Sequence, residues 1–159
     1  MGIWLTGSVL GDLALLVALG VGYFLWRRRQ VYLRIKQKLK FAELIHSGLE
    51  EYRADHGKYP VSPAFRPLRG QTAADVATWL PLSTSIIEQL PNVIPYSSAR
   101  ESIWMYRSDG TGFKLICHQP PEDEGRLAVR SFKRFVDPER STIDEAHAYG
   151  LWSVGAEAW

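Results

Sequence analysis

The chain is poor in cysteine, has no early basic residues and no early proline, and each of these absences excludes something. Cys117 is the one cysteine, so an intrachain disulfide is excluded and no Cys-x-x-Cys pair offers a redox or zinc site. The expectation for Cys117 is a small buried apolar residue on a strand. No proline precedes Pro60, so nothing before it breaks a helix by removing a backbone donor. The histidines are His46, His56, His118 and His147, and no His-Glu-x-x-His pair occurs. Gly-x-Ser-x-Gly and phosphate-loop patterns are missing as well. An enzyme is therefore not expected, and no catalytic residue, metal ligand, cofactor or small-molecule substrate is assigned.

No lysine or arginine occurs before Arg27, and Ile3 to Trp26 holds a single charge, Asp12. Roughly 20 apolar residues cross a bilayer as a helix. Leu13 to Trp26 is unbroken and apolar, and Tyr23, Phe24 and Trp26 stand where aromatic rings favour the headgroup region. Trp26, Arg27, Arg28 and Arg29 then mark a membrane boundary. A cleaved secretory signal opens with positive charge and closes on a small-residue cut. This segment does neither and is read as a retained anchor in contact with the lipid bilayer. A carboxylate inside the bilayer costs about 2.5–3.5 kcal/mol. Asp12 then has two readings: it sits at headgroup depth with the span beginning after it, or it pairs with a positive group on a neighbouring subunit.

The charge is unevenly placed. Arg27, Arg28, Arg29, Arg34, Lys36, Lys38 and Lys40 are clustered with no acid among them, whereas the chain from Phe41 onward is mildly acidic. No basic face for nucleic acid is expected there. Positive charge beside a span normally stays in the cytoplasm, which predicts a cytoplasmic soluble domain. The division expected is an anchor over 1–29 and a soluble domain over 30–159, long enough for its own core.

Val31, Ile35, Leu39, Ala42, Ile45, Leu49 and Tyr52 recur at three- and four-residue steps, which predicts that the anchor continues as an amphipathic helix over 30–55. Its basic residues at 34, 36, 38 and 40 are expected to be mostly solvated. Gly48 is either a weak point or a place of close packing. Gly57 and Pro60 end the helix. An irregular connection is expected over 56–100, with short helices at Thr72–Leu80 (Asp75 standing in for the usual capping-box glutamate) and Ser85–Leu90. Over 101–159 an antiparallel sheet region is expected. Ser102–Arg107 and Phe113–His118 read as strands joined through Asp109-Gly110, a turn that needs positive φ. Glu122 to Gly125 reads as an exposed loop, Leu127–Val136 fits helix and strand equally, and Tyr149–Val154 reads as the last strand. The many Trp and Tyr residues suit either a packed core or flat surfaces that meet other subunits.

Three stretches carry a resemblance: Leu49-Glu50-Glu51-Tyr52-Arg53-Ala54-Asp55-His56-Gly57-Lys58-Tyr59-Pro60, then Tyr106-Arg107-Ser108-Asp109-Gly110-Thr111-Gly112-Phe113, and finally Ala148-Tyr149-Gly150-Leu151-Trp152-Ser153-Val154-Gly155-Ala156-Glu157. In this order they resemble the type IV pilin-like proteins, in particular the major pseudopilins of type II secretion systems. The resemblance implies an α+β fold in which a long N-terminal helix, membrane span and soluble stretch in one, packs on a small antiparallel sheet. It implies processing between Gly7 and Ser8, which makes Asp12 the fifth mature residue, paired with the N-terminal amine of the next subunit. Here the leader lacks Lys and Arg, Asp replaces the family's Glu, and Ser8 replaces its Phe or Met. Assembly would run through Asp12, Val31, Ile35 and Leu39. The family places its domain outside the cytoplasm, against the charge rule above, and the periplasmic side is favoured because the resemblance spans several elements. The family also holds calcium near the position of Asp137, Glu139, Asp144 and Glu145, residues that a solvated acidic loop explains equally. The expectation is a single-pass bacterial inner-membrane protein, either a structural subunit that self-associates or joins other membrane-assembly subunits, or a non-polymerising tethered module that binds a partner protein.

Overall fold

The computed structural model describes residues 6–68, 72–91 and 102–159, with 6–10 and 73 as backbone only. A long N-terminal helix packs on a four-stranded antiparallel sheet, an α+β arrangement. Helix α1 runs Thr6–His56, about 75 Å at the rise of an α-helix. The expected boundary at 29/30 falls inside it without interruption. From Val31 the helix becomes one-sided. Val31, Ile35, Leu39, Ala42, Ile45 and Leu49 are all buried, and Phe41 widens the stripe by packing at a tilt against Trp104, 5.1 Å between ring centroids. Gly57 ends α1 at φ +74°, its N–H donating to Arg53 O at 2.8 Å, and Pro60 follows as expected.

The connection is less irregular than the sequence predicts. Strand β1 occupies Ser62–Pro67, where Pro63 and Pro67 argue against a strand. They are tolerated because β1 is an edge strand, with a register shift between Ser62 and Arg66. Helix α2, Ala73–Ala77, begins at Thr72 with a complete capping box in which Asp75 fills the glutamate's role. Helix α3, Thr84–Gln89, brings Leu82 and Ile86 onto α1. A Cβ on Gly48 would lie 2.8 Å from Leu82 Cδ2 and 3.1 Å from Ile86 Cγ2, so Gly48 marks a close approach.

Strands β2 (Ile103–Ser108), β3 (Phe113–His118) and β4 (Ala148–Trp152) complete a meander in the order β1-β2-β3-β4. At the β2–β3 turn Gly110 has φ +94°, and the Asp109 carboxylate accepts from the N–H groups of Thr111 and Gly112, each at 2.8 Å. Those bonds hold the Asp109 carboxyl below its ordinary pKa. Phe113, Leu115 and Cys117 alternate into the core beneath α1, while Lys114 and Ile116 fall on the opposite face, as strand geometry requires.

The stretch read as an exposed loop at Glu122–Gly125 is instead the first turn of helix α4, Glu122–Ser131. Three acids at a helix N-terminus are favoured there by the backbone dipole, and Glu124 and Gly125 are buried. The ambiguous stretch from Leu127 is therefore helical to Ser131, followed by a 3₁₀ turn at Lys133–Phe135.

Candidate functional site

Four places concentrate chemistry: the bare half of α1, two separate buried charge networks, and one end of the sheet. From Leu13 to Trp26 the large apolar side chains of α1 are exposed all round, Leu16 at 65% and Trp26 at 56%. A helix apolar on every side is the pattern of a segment surrounded by other apolar matter. Asp12 and Arg27 to Arg29 are exposed as well. The side chains of Gly7 and Ser8, and all of Ile3 to Leu5, lie outside the described residues. Among the described residues, no helix is long and apolar enough to cross a membrane; Gly11 to Trp26 alone falls short of the roughly 20 residues a span needs.

Val31, Ile35 and Leu39, expected to meet other subunits, instead line the chain's own core at 4%, 0% and 5% exposure. The stripe that sequence periodicity reveals is an inward one, since periodicity alone does not say which surface covers it. Next to it, Tyr32 and Leu33 face outward, with Tyr32 against Phe132 at 5.1 Å.

The basic residues of α1 are not all solvated. Lys38 is buried, its Nζ donating to Glu124 Oε2 at 2.7 Å and to Ser102 Oγ at 3.3 Å. Arg34, one turn back, reaches Glu124 Oε1 at 3.0 Å and Asp123 Oδ2 at 3.2 Å. Tyr149 OH completes the set by donating to Glu124 at 3.0 Å, and burial raises its phenol far above the ordinary value. Cys117 lies beside this group, and burial pushes its thiol up to about 11, so it stays protonated and inert as a nucleophile. Sequence reasoning missed Glu124 because it read the first turn of α4 as a loop. The available signal was the run of seven basic residues without an acid, whose buried member must find its partner elsewhere in the chain.

A second network sits on the other face of the sheet. Lys114 Nζ and Asp137 Oδ1, both fully buried, lie 2.9 Å apart, and Arg140 Nη1 holds Asp137 Oδ2 at 2.9 Å. Lys114 also donates to the backbone oxygens of Glu157 and Trp159 at 2.8 and 2.9 Å. Burial lowers the Lys114 ammonium pKa while Asp137 opposes that shift. Asp137 is thus an interior partner rather than a member of a solvated acidic loop. Among the described residues, no group of three or more His, Cys, Asp or Glu is arranged to hold a metal ion.

The three stretches that carry the family resemblance converge at one end of the sheet. Tyr59 N–H donates to Gly110 O at 2.9 Å, joining the end of α1 to the β2–β3 turn. Ser153 Oγ accepts from Phe113 N–H at 2.9 Å, joining the end of β4 to the same turn. Tyr59 OH donates to Glu50 at 2.6 Å and accepts from Arg53 at 3.1 Å. Compared with known proteins, the chain matches no protein-family model, no curated protein and no solved structure.

Proposed function

We propose that the chain is a membrane-anchored, pilin-like structural subunit of a secretion or pilus-type assembly in the bacterial inner membrane. The division of labour along α1 carries this reading. Within one uninterrupted helix, Leu13 to Trp26 is apolar and uncovered, and the stripe from Val31 to Leu49 is committed to the chain's own core. Burying the uncovered half in lipid removes its large apolar surface from water. The convergence of the helix end, the hairpin turn and the last strand supports the resemblance to pseudopilins, in which the same three elements follow in the same order. In this reading the domain stands outside the cytoplasm, and Asp12 pairs in the bilayer with the N-terminal amine that a cut between Gly7 and Ser8 exposes on the next subunit.

Two observations favour a second reading. Val31, Ile35 and Leu39 are occupied within the chain, and Arg27 to Arg29 follow the apolar segment. A non-polymerising tethered module facing the cytoplasm, bound to a partner protein, accommodates both. The mass of the mature protein and Asp12→Ala separate the two. Loss of residues 1–7, with the Asp12→Ala chain retained in membranes but not assembled, is the expected result. An intact N-terminus, an unchanged assembly state and protease access only from the cytoplasmic side would establish the second reading instead.

A further inference from the structure

At the junction between the bare half of α1 and the folded domain, a cavity of about 270 Å³ opens between α1 and α4. Its apolar lining includes Phe24 on α1 and Leu127 on α4, and its rim carries Arg27, Arg28 and Arg130. Among the described residues, none of these three arginines forms an ion pair. The nearby charges are already engaged: Asp123 with Arg34 at 3.2 Å, and Arg126 with Glu122 one turn back. The pocket therefore presents three guanidinium groups without an ion pair over an apolar floor, and the carboxylate that lines it, Asp123, is already held by Arg34. The Lys38–Glu124–Arg34 network fixes this geometry by clamping the first turn of α4 onto α1.

We propose that this pocket binds the headgroup phosphate of an anionic phospholipid, with the start of one acyl chain along Phe24 and Leu127. The inference rests on the membrane-anchor reading above, since it needs Trp26 and Arg27 at headgroup depth. The chemistry fits an anionic lipid. Guanidinium forks match phosphate oxygens in two-point hydrogen bonds. Basic pockets where a helix leaves the bilayer attract anionic headgroups at about 1 kcal/mol per Arg, and the floor continues directly into the exposed apolar surface of α1. Arg130 is the informative member. It stands on α4, about a hundred residues from the anchor in sequence, and nothing about inserting α1 requires it.

The test uses the full chain in neutral detergent with phosphatidylglycerol and phosphatidylcholine in equal amount, and native mass spectrometry counts the lipid retained. Vesicle flotation of the same preparation with phosphatidylcholine alone is run beside it. The expected result is preferential retention of phosphatidylglycerol, reduced roughly fivefold by Arg130→Gln. Arg29→Gln removes the same charge at the same depth but lies outside the pocket, and it should leave the preference largely intact. Equal losses in the two variants would overturn the pocket and leave only diffuse attraction. Abolition of the preference by millimolar inorganic phosphate would overturn lipid recognition in favour of a simple anion site. Unchanged lipid retention with a lower oligomer mass in Arg130→Gln would overturn it too, by assigning the pocket to carboxylates of a neighbouring chain. A chain that fails to float with phosphatidylcholine refutes the anchor, whereas one that floats without headgroup preference refutes only the lipid site.

Discussion

Lys38 and Glu124, one on α1 and the other on α4, form an ion pair of 2.7 Å with side chains 2% and 0% exposed. Removing one member of such a pair leaves a buried charge without a counter-charge. Glu124→Gln is expected to cost about 3–5 kcal/mol in chemical unfolding followed by Trp fluorescence. Lys38→Met with Glu124→Leu removes both charges and should recover most of that loss. Equal destabilisation in the single and double variants would show that the pair acts through something other than charge compensation.

Glu50, Arg53 and Tyr59 clasp the end of α1. Its hydrogen bond from Tyr59 is the largest influence holding the Glu50 carboxyl below its ordinary pKa. The bond therefore stabilises the fold above the unfolded carboxylate range, and that contribution disappears as pH falls through the lowered folded value. Tyr59→Phe is expected to cost about 1 kcal/mol at neutral pH, because Glu50 is half exposed. The loss should vanish in acid. A double-mutant cycle with Glu50→Gln isolates the bond, and zero coupling at pH 7 would refute it.

His118 predicts a second, separate acid limb. Burial is the main cause of its lowered pKa, Arg140 adds to the shift, and Asp137 opposes it. Its Nδ1 is buried with no hydrogen-bond partner among the described residues. With the folded pKa depressed, the unfolded chain takes up the proton first. Stability is therefore full above the unfolded value of about 6.5 and falls as pH drops below it. His118→Gln should flatten thermal unfolding midpoints over that interval while leaving the lower-pH carboxylate limb in place.

Two glycines should respond differently to added bulk. At Gly48 the nearest atoms are side-chain methyls, Leu82 Cδ2 and Ile86 Cγ2, rather than backbone, and the helix gains propensity from a methyl group. Gly48→Ala is expected near neutral and Gly48→Val to cost about 1–3 kcal/mol by overpacking. At Gly150 a Cβ meets the backbone of Leu115 and Ile116 on β3, which has nowhere to move. Even Gly150→Ala should destabilise β3–β4 pairing, read as faster amide exchange along β4.

The parts of the fold legible in sequence were those with a period or a turn residue of their own. The α1 stripe, Gly57, the Thr72–Asp75 cap and the Asp109-Gly110 hairpin all rest on interactions within a few positions, or on apolar repeats that need no knowledge of the partner. What stayed hidden depends on distant residues. Pro63 and Pro67 are compatible with strand β1 only because that strand lies at the edge. Glu124 reads as surface until Lys38 is placed beside it, and Asp137 likewise until Lys114 is. The inward role of Val31, Ile35 and Leu39 was hidden for the same reason.

The absence of proline in the first 59 positions has a mechanical result. Because α1 passes from its bare half into the sheet-bound half as one uninterrupted helix, no loop or proline separates the two halves. The roughly 75 Å rod then acts as a lever: a tilt of about ten degrees at one end swings the other by roughly 13 Å. Reorientation of the apolar half is then passed to the sheet-bound half along continuous helix, with no loop in α1 to absorb it.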